Sequence, residues 1–360
     1  MNIKRYIPII DIFYLIITSV IFVLGAVGVS KDMTVFFMIA NAISIAGYIL
    51  LRNTTLQIPK YVVPYTIFLI ILLIHAYIVK GNLFFFWLYF SGLLIWIYGY
   101  NFKNIFKKIS TPFLIVLGIA ASIIFSYIKI KGIQTNEFDN ILNPPTDLIK
   151  HSHLGDFWAV VLVGVIHDLT NKASKKTTKI LSYLAIVIGF TFIILSYSRS
   201  AIISLVVGIL YLFVKLDMNK KIRYFLITVL SVSAISFLVM GIGKSTLFSR
   251  PYFAQSVLNI YAYPLGVGMG NFSDISKQYN GLEQSNLTHN IFLEFISGTG
   301  VFSLVFIYWI LLILRKIFRD DVDLKFSAIF LAVLANFSFN VAYIIPAMVW
   351  ILFFNLSLIG

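Results

Sequence analysis

The chain of 360 residues contains no cysteine and few charged residues. Without cysteine it forms no disulfide bond, no thiolate nucleophile and no cysteine-ligated metal site. Charged residues make up 12% of the sequence and hydrophobic residues 60%, and no polar stretch is long enough to fold alone as a soluble domain. The scarcity of charge therefore indicates a protein embedded in a lipid bilayer.

The apolar residues stand in runs close to the ~20 residues that a helix needs to cross hydrocarbon. Runs such as 62–79 and 181–195 are continuously apolar, whereas a transmembrane barrel requires short strands of alternating polarity. The sequence predicts an all-α, polytopic membrane protein that forms a single domain over residues 1–360. No convincing small-residue cleavage site follows the first run, so we expect a retained span rather than a signal peptide.

We predict about twelve membrane spans from the apolar runs. The last two meet without a polar break, and Asn340 and Pro346 leave room only for a tight turn between them. One long, broken element is the alternative for this pair. The approximate spans are 8–29, 33–51, 61–79, 83–100, 111–130, 153–168, 179–196, 200–215, 222–241, 289–314, 325–342 and 343–359.

Basic residues are distributed unequally between the loops. With the amino terminus in the cytoplasm, nineteen of the 28 Lys and Arg residues lie in cytoplasmic segments, as the positive-inside rule requires. The net charge of +14 is therefore assigned to topology and to anionic lipid headgroups. A nucleic-acid-binding protein clusters its basic residues on one face beside aromatic platforms, so we expect no nucleic acid partner.

The longest polar interruption is the predicted extracytoplasmic loop over residues 242–288. Irregular backbone at membrane depth is tolerated only where it is buried in protein or lines a water-filled cavity, so a loop of this length can carry a site. Its sequence PLGVGMGNF resembles a phosphate-binding loop only superficially, because no strand precedes it and it faces away from cytoplasmic nucleotides. We expect a tight turn in which glycine permits close backbone packing.

Three residues on the predicted outer side are candidates for a site. Arg199, in SYSRSA, stands at a junction of two spans with no real loop, where an arginine is costly unless it snorkels or binds an anion. Arg250 belongs to the long loop. His289 stands where that loop re-enters a helix, with Thr288 as the expected N-cap and free N–H donors that attract anions. Each arginine is alternatively an ordinary interfacial or loop charge, and a lone histidine is more often structural.

Two further histidines lie near a carboxylate, because His151 and His153 precede Asp156 closely. Residues two positions apart on a helix do not face one ligand, and no further cluster completes a metal shell. We therefore expect no metal ion and no cofactor.

Three motifs in order resemble the O-antigen ligase and polymerase family of bacterial membrane glycosyltransferases. They are SYSRSA at a span junction, Arg250 followed by PLGVGMGNF, and THNIFLEFISGTGVFSL at the start of the next span. The resemblance covers residues 180–320 approximately. It implies a GT-C-like fold in the bacterial cytoplasmic membrane, with a cytoplasmic amino terminus and an outward-facing site under the long loop. By matching position, it implies that Arg199, Arg250 and His289 are catalytic, that both arginines bind diphosphate, and that Asn290 is a further substrate ligand.

The resemblance also implies a reaction, the transfer of a glycan from a polyprenyl diphosphate carrier to a hydroxyl group, with inversion and without a metal. The implied partners are the polyprenyl-diphosphate-linked oligosaccharide, membrane lipids and assembly proteins such as a flippase and a chain-length regulator. Arginines suit a departing diphosphate, and a histidine suits the acceptor proton. The competing bases are Asp274, Glu283 and Glu294.

The sequence leaves the acceptor open. The modest length and the short outer loop favour a polymerase of O-antigen, capsule or exopolysaccharide, and a ligase that transfers to lipid A core or another terminal acceptor is the alternative. A flippase or transporter of lipid-linked oligosaccharides is the alternative of another class. It would show two related halves and ionisable groups near mid-membrane, and neither is evident. A structural scaffold leaves Arg199 and the long loop unexplained.

Overall fold

The fold is described by a computed structural model that covers most of the chain. The described residues are 31–52, 57–135, 151–170, 176–196, 198–216, 220–241, 258–276, 287–320 and 322–359. Within these ranges the regular structure consists of helices and contains no strand, which confirms the all-α prediction for this part of the chain. The first predicted span, Arg250 and Glu283 lie outside the described residues.

Helices follow one another in the order that the apolar runs predict. Every predicted span from the second to the twelfth overlaps a helix, and short 3-10 segments lie at Gly300–Phe302 and Val341–Ile344. Residues 258–262 are also helical. In chain order the α-helices are α1 (Lys31–Arg52), α2 (Val62–Ile78), α3 (Leu83–Asn101), α4 (Lys103–Thr135), α5 (His151–Thr170), α6 (Lys176–Leu195), α7 (Arg199–Lys215), α8 (Lys220–Gly241), α9 (Phe272–Ser276), α10 (Ile291–Thr299), α11 (Ser303–Arg319), α12 (Leu324–Phe337) and α13 (Pro346–Leu358).

Three helical stretches of the described residues are long and apolar enough to cross a membrane: Leu83–Asn101, Phe106–Tyr127 and Ile291–Arg319. Several other helices, such as Val62–Ile78 and Pro346–Leu358, are apolar but shorter. Length and composition thus support membrane spans at three places, and the number of about twelve spans stays a prediction.

Helix α5 forms the centre of one group of helices. Every residue from 153 to 166 is buried, and the helix packs against α4, α6, α7 and α12. A helix that is apolar on all sides is buried on all sides. The polar exceptions in this stretch are His153 and Asp156. The exposed fraction of Asp156 is 0%, so its carboxylate requires partners inside the protein.

Aromatic residues fill a second group formed by α2, α3, α11 and α13. The ring centres of Tyr65 and Trp309 are 4.5 Å apart, and those of Trp309 and Phe353 are 5.8 Å apart. Tyrosine hydroxyls satisfy backbone carbonyls in this core, because Tyr65 donates to Tyr89 O (2.8 Å) and Tyr89 donates to Tyr343 O (3.1 Å). A line of three tyrosines therefore connects the core to the turn that precedes α13.

The tenth predicted span is broken, because α10 ends at Thr299 and α11 begins at Ser303. Between them Gly300 has a φ of +57°, which favours glycine. A Cβ atom at Gly300 would also clash with the carbonyl oxygen of Pro264. The continuous apolar run hides this break, against which a neighbouring backbone segment packs.

That neighbouring segment is the glycine turn, residues 264–270. The amides of Val267 and Gly268 donate to the carbonyls of Ser297 (3.0 Å) and Gly298 (2.9 Å), and Met269 O accepts from Asn82 N (2.7 Å). Backbone contacts of this kind confirm the expected tight, closely packed turn. A phosphate-binding loop points such amides at its ligand, whereas these two amides bind protein carbonyls.

The last two helices are separate elements packed side by side. α12 ends at Phe337 and α13 begins at Pro346, and proline suits the first turn of a helix because its missing N–H has no helical partner there. Ile359, after α13, lines the same cavity as Lys316 of α11. The chain therefore returns after the turn over residues 338–345 to the end of the bundle where α11 finishes.

The bundle has two distinct ends. At the Asp156 end lie the start of α5, the α6–α7 junction, residues 287–290 and the turn over residues 338–345, which are joined by hydrogen bonds. At the Lys316 end lie the starts of α2 and α12 and the ends of α3, α5, α11 and α13. Lys325 Nζ is 3.0 Å from Asp168 Oδ2 at this second end.

Candidate functional site

Arg199 is the first residue of α7, and α6 ends only at Leu195. The junction therefore contains no real loop, as predicted. Ser198 is the N-cap of α7, and its Oγ accepts from the amide of Ala201 at 3.3 Å. Serine at this position satisfies one of the amides that a helix start leaves without a partner. The cap fixes the half-buried Arg199 at the Asp156 end of the bundle.

The carboxylate of Asp156 lies beside this junction. Its Oδ1 accepts from the hydroxyls of Ser198 (2.8 Å) and Ser200 (2.9 Å), and the two hydroxyl oxygens are themselves 2.8 Å apart. Ser198 and Ser200 flank Arg199 in the sequence. One buried carboxylate oxygen thus holds the chain on both sides of the arginine.

The other oxygen of Asp156 connects the junction to a distant part of the chain. Asp156 Oδ2 accepts from Asn340 Nδ2 at 2.5 Å, and His153 Nδ1 lies 3.7 Å from the same oxygen. In the sequence, His153 and Asp156 stood out only as possible metal ligands. No group of three or more potential metal ligands exists among the described residues, and the expectation of no metal stays a prediction.

The segment that carries His289 is capped differently from the prediction. Asn290, and not Thr288, is the N-cap of α10, and its Oδ1 accepts from the amides of Phe292 (2.9 Å) and Leu293 (3.0 Å). The prediction of Thr288 as the cap is wrong. Because Asn290 occupies these two amides, they are not the free anion-attracting donors that the sequence suggested. Asn290 Nδ2 donates to Ser338 O at 2.8 Å.

Thr288 binds a second buried carboxylate instead. Its amide and its hydroxyl each lie 3.0 Å from Glu294 Oε2, and the hydroxyl of Tyr343 donates to the same oxygen at 3.0 Å. Glu294 is only 2% exposed. This pairing resembles a capping box, in which a glutamate in the first turn reaches back to the preceding segment. Glu294 therefore ties the residues before α10 to the turn before α13.

His289 itself is half-buried and has a φ of +56°. Lys80 is the other non-glycine residue with a positive φ among the described residues. Backbone strain of this kind persists where the surroundings determine it, and it concentrates at functional sites. Here the surroundings are Thr288, held by Glu294, and Asn290, held by Ser338.

The turn over residues 338–345 joins the two candidate segments. Asn340 donates to Asp156, which holds the Arg199 junction, and Tyr343 donates to Glu294, which holds the residue before His289. The structure thus brings the Arg199 and His289 segments to one end of the bundle. Of the competing bases, Asp274 is exposed on α9.

Sequence reasoning missed Ser198, Ser200, Asn340 and Tyr343 as parts of this arrangement. The pattern Ser-Arg-Ser at a helix start offered one signal, because two hydroxyls on either side of an arginine can share an acceptor. The acceptor could not be identified from the sequence, since Asp156 lies 42 residues from Ser198 and 184 residues from Asn340.

We expect Asp156→Ala to destabilise the protein by about 2–5 kcal/mol, because three donors then lose a buried acceptor. Asp156→Asn keeps the shape and one acceptor oxygen, so its loss should be smaller. The measurement is the melting temperature of the purified protein in detergent. The control is Asp323→Ala, which removes the Lys107–Asp323 ion pair and should cost ~1 kcal/mol or less. Equal melting of Asp156→Ala and wild type would show that this carboxylate does not hold the junction.

Comparison with known protein families finds a match for part of the chain. The sequence profile of the O-antigen ligase family matches residues 184–308. The matched segment contains Arg199, Arg250, His289 and Asn290, and the predicted family resemblance is confirmed there. No curated protein and no solved structure matches the chain. The match and the apolar helices together indicate a membrane protein. Over residues 184–308, the chain is similar to the O-antigen ligase family.

Proposed function

We propose that the chain is a glycosyltransferase that moves a glycan from a polyprenyl diphosphate carrier to an acceptor hydroxyl group. The observation that carries this proposal is the link between the Arg199 and His289 segments through Asp156, the turn over residues 338–345 and Glu294. The family match covers both segments and supports enzymatic activity of this type.

Two arginines bind the diphosphate in the proposal. Arg199 stands at the start of α7 with its backbone fixed by Ser198 and Ser200, and Arg250 comes from the long loop. A guanidinium group contacts phosphate oxygens with two parallel hydrogen bonds. As the bond between the anomeric carbon and the diphosphate breaks, negative charge accumulates on the departing oxygen. Positively charged donors already in position stabilise that charge more in the transition state than in the ground state.

His289 receives the proton of the acceptor in the proposal. The acceptor oxygen forms a bond to the anomeric carbon from the side opposite the leaving diphosphate, so the anomeric configuration inverts. The hydroxyl proton passes to a nitrogen of the imidazole ring, a common general base in enzymes. Asn290 was predicted as a substrate ligand, but its amide group binds α10 and Ser338. We assign Asn290 to holding His289 in place.

The acceptor distinguishes two candidate functions. We propose a polymerase, in which the acceptor is a second carrier-linked repeat unit of an O-antigen, capsule or exopolysaccharide. The second candidate is a ligase that transfers the glycan to lipid A core or another terminal acceptor, and the description of the matching family as O-antigen ligase favours it. Both candidates use the same donor chemistry, so the proposed roles of Arg199, Arg250 and His289 hold for either.

We place the protein in the bacterial cytoplasmic membrane, with the Asp156 end facing outward. The unequal distribution of basic residues supports this orientation. Lys60, Lys316 and Lys325 belong to predicted cytoplasmic segments, and all three lie at the opposite end of the bundle. In this orientation the site meets a carrier-linked glycan after a flippase has moved it across the membrane.

The direct test of the proposal is incubation of the purified protein in nanodiscs with a polyprenyl-diphosphate-linked repeat unit. We expect a ladder of carrier-linked products on a gel, because each product of a polymerase is the donor of the next step. A single product formed only after addition of lipid A core would identify the ligase instead. Absence of product in both reactions, with the native glycan of the source cell as donor, would refute the glycosyltransferase.

Arg199→Lys and Arg250→Lys should each reduce transfer about 10²–10³-fold, because lysine keeps the charge but loses the paired hydrogen bonds. The measurement is the initial rate of product formation, with the amount of folded protein checked by size-exclusion chromatography. The control is Arg315→Lys, at an exposed position on α11, which should transfer at the wild-type rate. Wild-type activity of both site variants would show that these arginines are interfacial anchors and do not bind the diphosphate.

His289→Ala should reduce turnover by roughly 10²–10⁴-fold while donor binding survives, because the base and the diphosphate ligands are different residues. Donor binding and product formation are therefore measured on the same preparation. His167→Ala is the matched control, because His167 lies at the Lys316 end, where its Nδ1 is 3.3 Å from Asp168 Oδ1. Substantial turnover by His289→Ala would direct attention to Asp274 or Glu283, and loss of donor binding would make His289 a substrate ligand.

A further inference from the structure

A small cavity opens at the Lys316 end, on the opposite side of the bundle from Arg199 and His289. Its volume is about 190 Å³, and it lies where α2 begins and where α3, α11 and α13 end. Pockets that enclose whole small molecules measure ~300–1,000 Å³. This cavity is smaller, so it suits one polar group of a ligand whose remainder lies outside.

Lysine side chains lie close together at the cavity. Lys60 and Lys316 line it, and Lys60 and Lys103 both act electrostatically on Lys316. Asp320 is a carboxylate that acts on Lys316, and these four residues together carry a net positive charge. Like charges that converge at a partly buried place destabilise one another, and a bound anion removes that cost.

Aromatic rings hold two of the lysines near the cavity. Lys60 Nζ lies 5.5 Å from the centre of the Tyr61 ring, and Lys103 Nζ lies 5.0 Å from the centre of the Tyr100 ring. Tyr61 and Tyr100 line the cavity together with Trp96. Tyr and Trp side chains concentrate at the level of lipid headgroups because one part of each is apolar and the other is polar.

The inner wall of the cavity is apolar. Ile313 is 1% exposed and Trp96 is 2% exposed, and both line the cavity. Ammonium groups beside an apolar wall match a ligand that combines an anionic group with an apolar body. A phospholipid with a net negative charge has this combination, because its phosphate is attached to glycerol and acyl chains.

We propose that this cavity binds the phosphate of an anionic lipid headgroup. A soluble phosphate ester shares the anionic group, but it has no apolar body for the wall formed by Ile313 and Trp96. The predicted cytoplasmic position adds to this assignment, because anionic lipids attract basic segments on that side of the membrane. The proposal stands independently of the glycosyltransferase activity, since no residue of the cavity belongs to the candidate site.

Native mass spectrometry of the purified, delipidated protein tests this site with phosphatidylglycerol and phosphatidylcholine as probes. We expect the wild type to retain phosphatidylglycerol in preference to phosphatidylcholine. The double variant Lys60→Gln with Lys316→Gln should bind phosphatidylglycerol roughly tenfold more weakly or worse, because two attractive charges are lost. The matched control is Lys108→Gln with Lys220→Gln, two exposed lysines outside the cavity, which should bind as the wild type does.

A charge-retaining variant and a soluble competitor complete the test. Lys60→Arg with Lys316→Arg should keep the preference for phosphatidylglycerol, which separates loss of charge from misfolding. Retention of phosphatidylglycerol in excess glycerol phosphate identifies the lipid as the ligand, and its displacement identifies a site that also accepts soluble phosphate esters. Equal binding of both lipids by the wild type would overturn the proposal, as would equal binding of phosphatidylglycerol by the Gln double variant and the lysine control.

Discussion

A carboxylate buried in an apolar bundle is stable only where donors surround it, and this constraint organises one end of the molecule. Asp156 and Glu294 are almost fully buried, and each accepts three hydrogen bonds. The donors to Asp156 come from the α6–α7 junction and the turn before α13, and those to Glu294 come from Thr288 and the same turn. Meeting that requirement draws the α6–α7 junction, the start of α10 and the turn before α13 together. The positions of the Arg199 and His289 segments follow from where those donors must lie.

The remaining helices support this arrangement through close packing. Helix α5 holds Asp156 in a fully buried stretch near the start of the helix, so its carboxylate does not reach solvent. The glycine turn occupies the break at Gly300 with backbone hydrogen bonds and so sets the direction of α10 relative to α11. Aromatic packing between Tyr65, Trp309 and Phe353 fixes α2, α11 and α13 as one group. Each contact limits how far the Asp156 end can shift.

The sequence allowed the helices, the loop-free Arg199 junction and the tight glycine turn to be predicted, because hydropathy and glycine spacing are local properties. The break at Gly300 was not predicted, since the apolar run continues through it and the Pro264 carbonyl that packs against Gly300 comes from a distant part of the chain. Thr288 was wrongly chosen over Asn290 as the cap of α10. Both are good caps, and the choice depends on Glu294 binding Thr288 and on Ser338, 48 residues away, binding Asn290. Long-range partners of this kind leave no local pattern.

The line of hydrogen bonds from Tyr65 through Tyr89 to Tyr343 has a consequence for how the protein can vary. It anchors the turn over residues 338–345 to the aromatic core, so that side of the Asp156 end is a rigid wall. Reshaping this wall would require breaking hydrogen bonds in a buried region, which is costly. In the proposed glycosyltransferase, adaptation to a different sugar would therefore require changes outside both this wall and the glycine turn, in which Met269 is only 1% exposed.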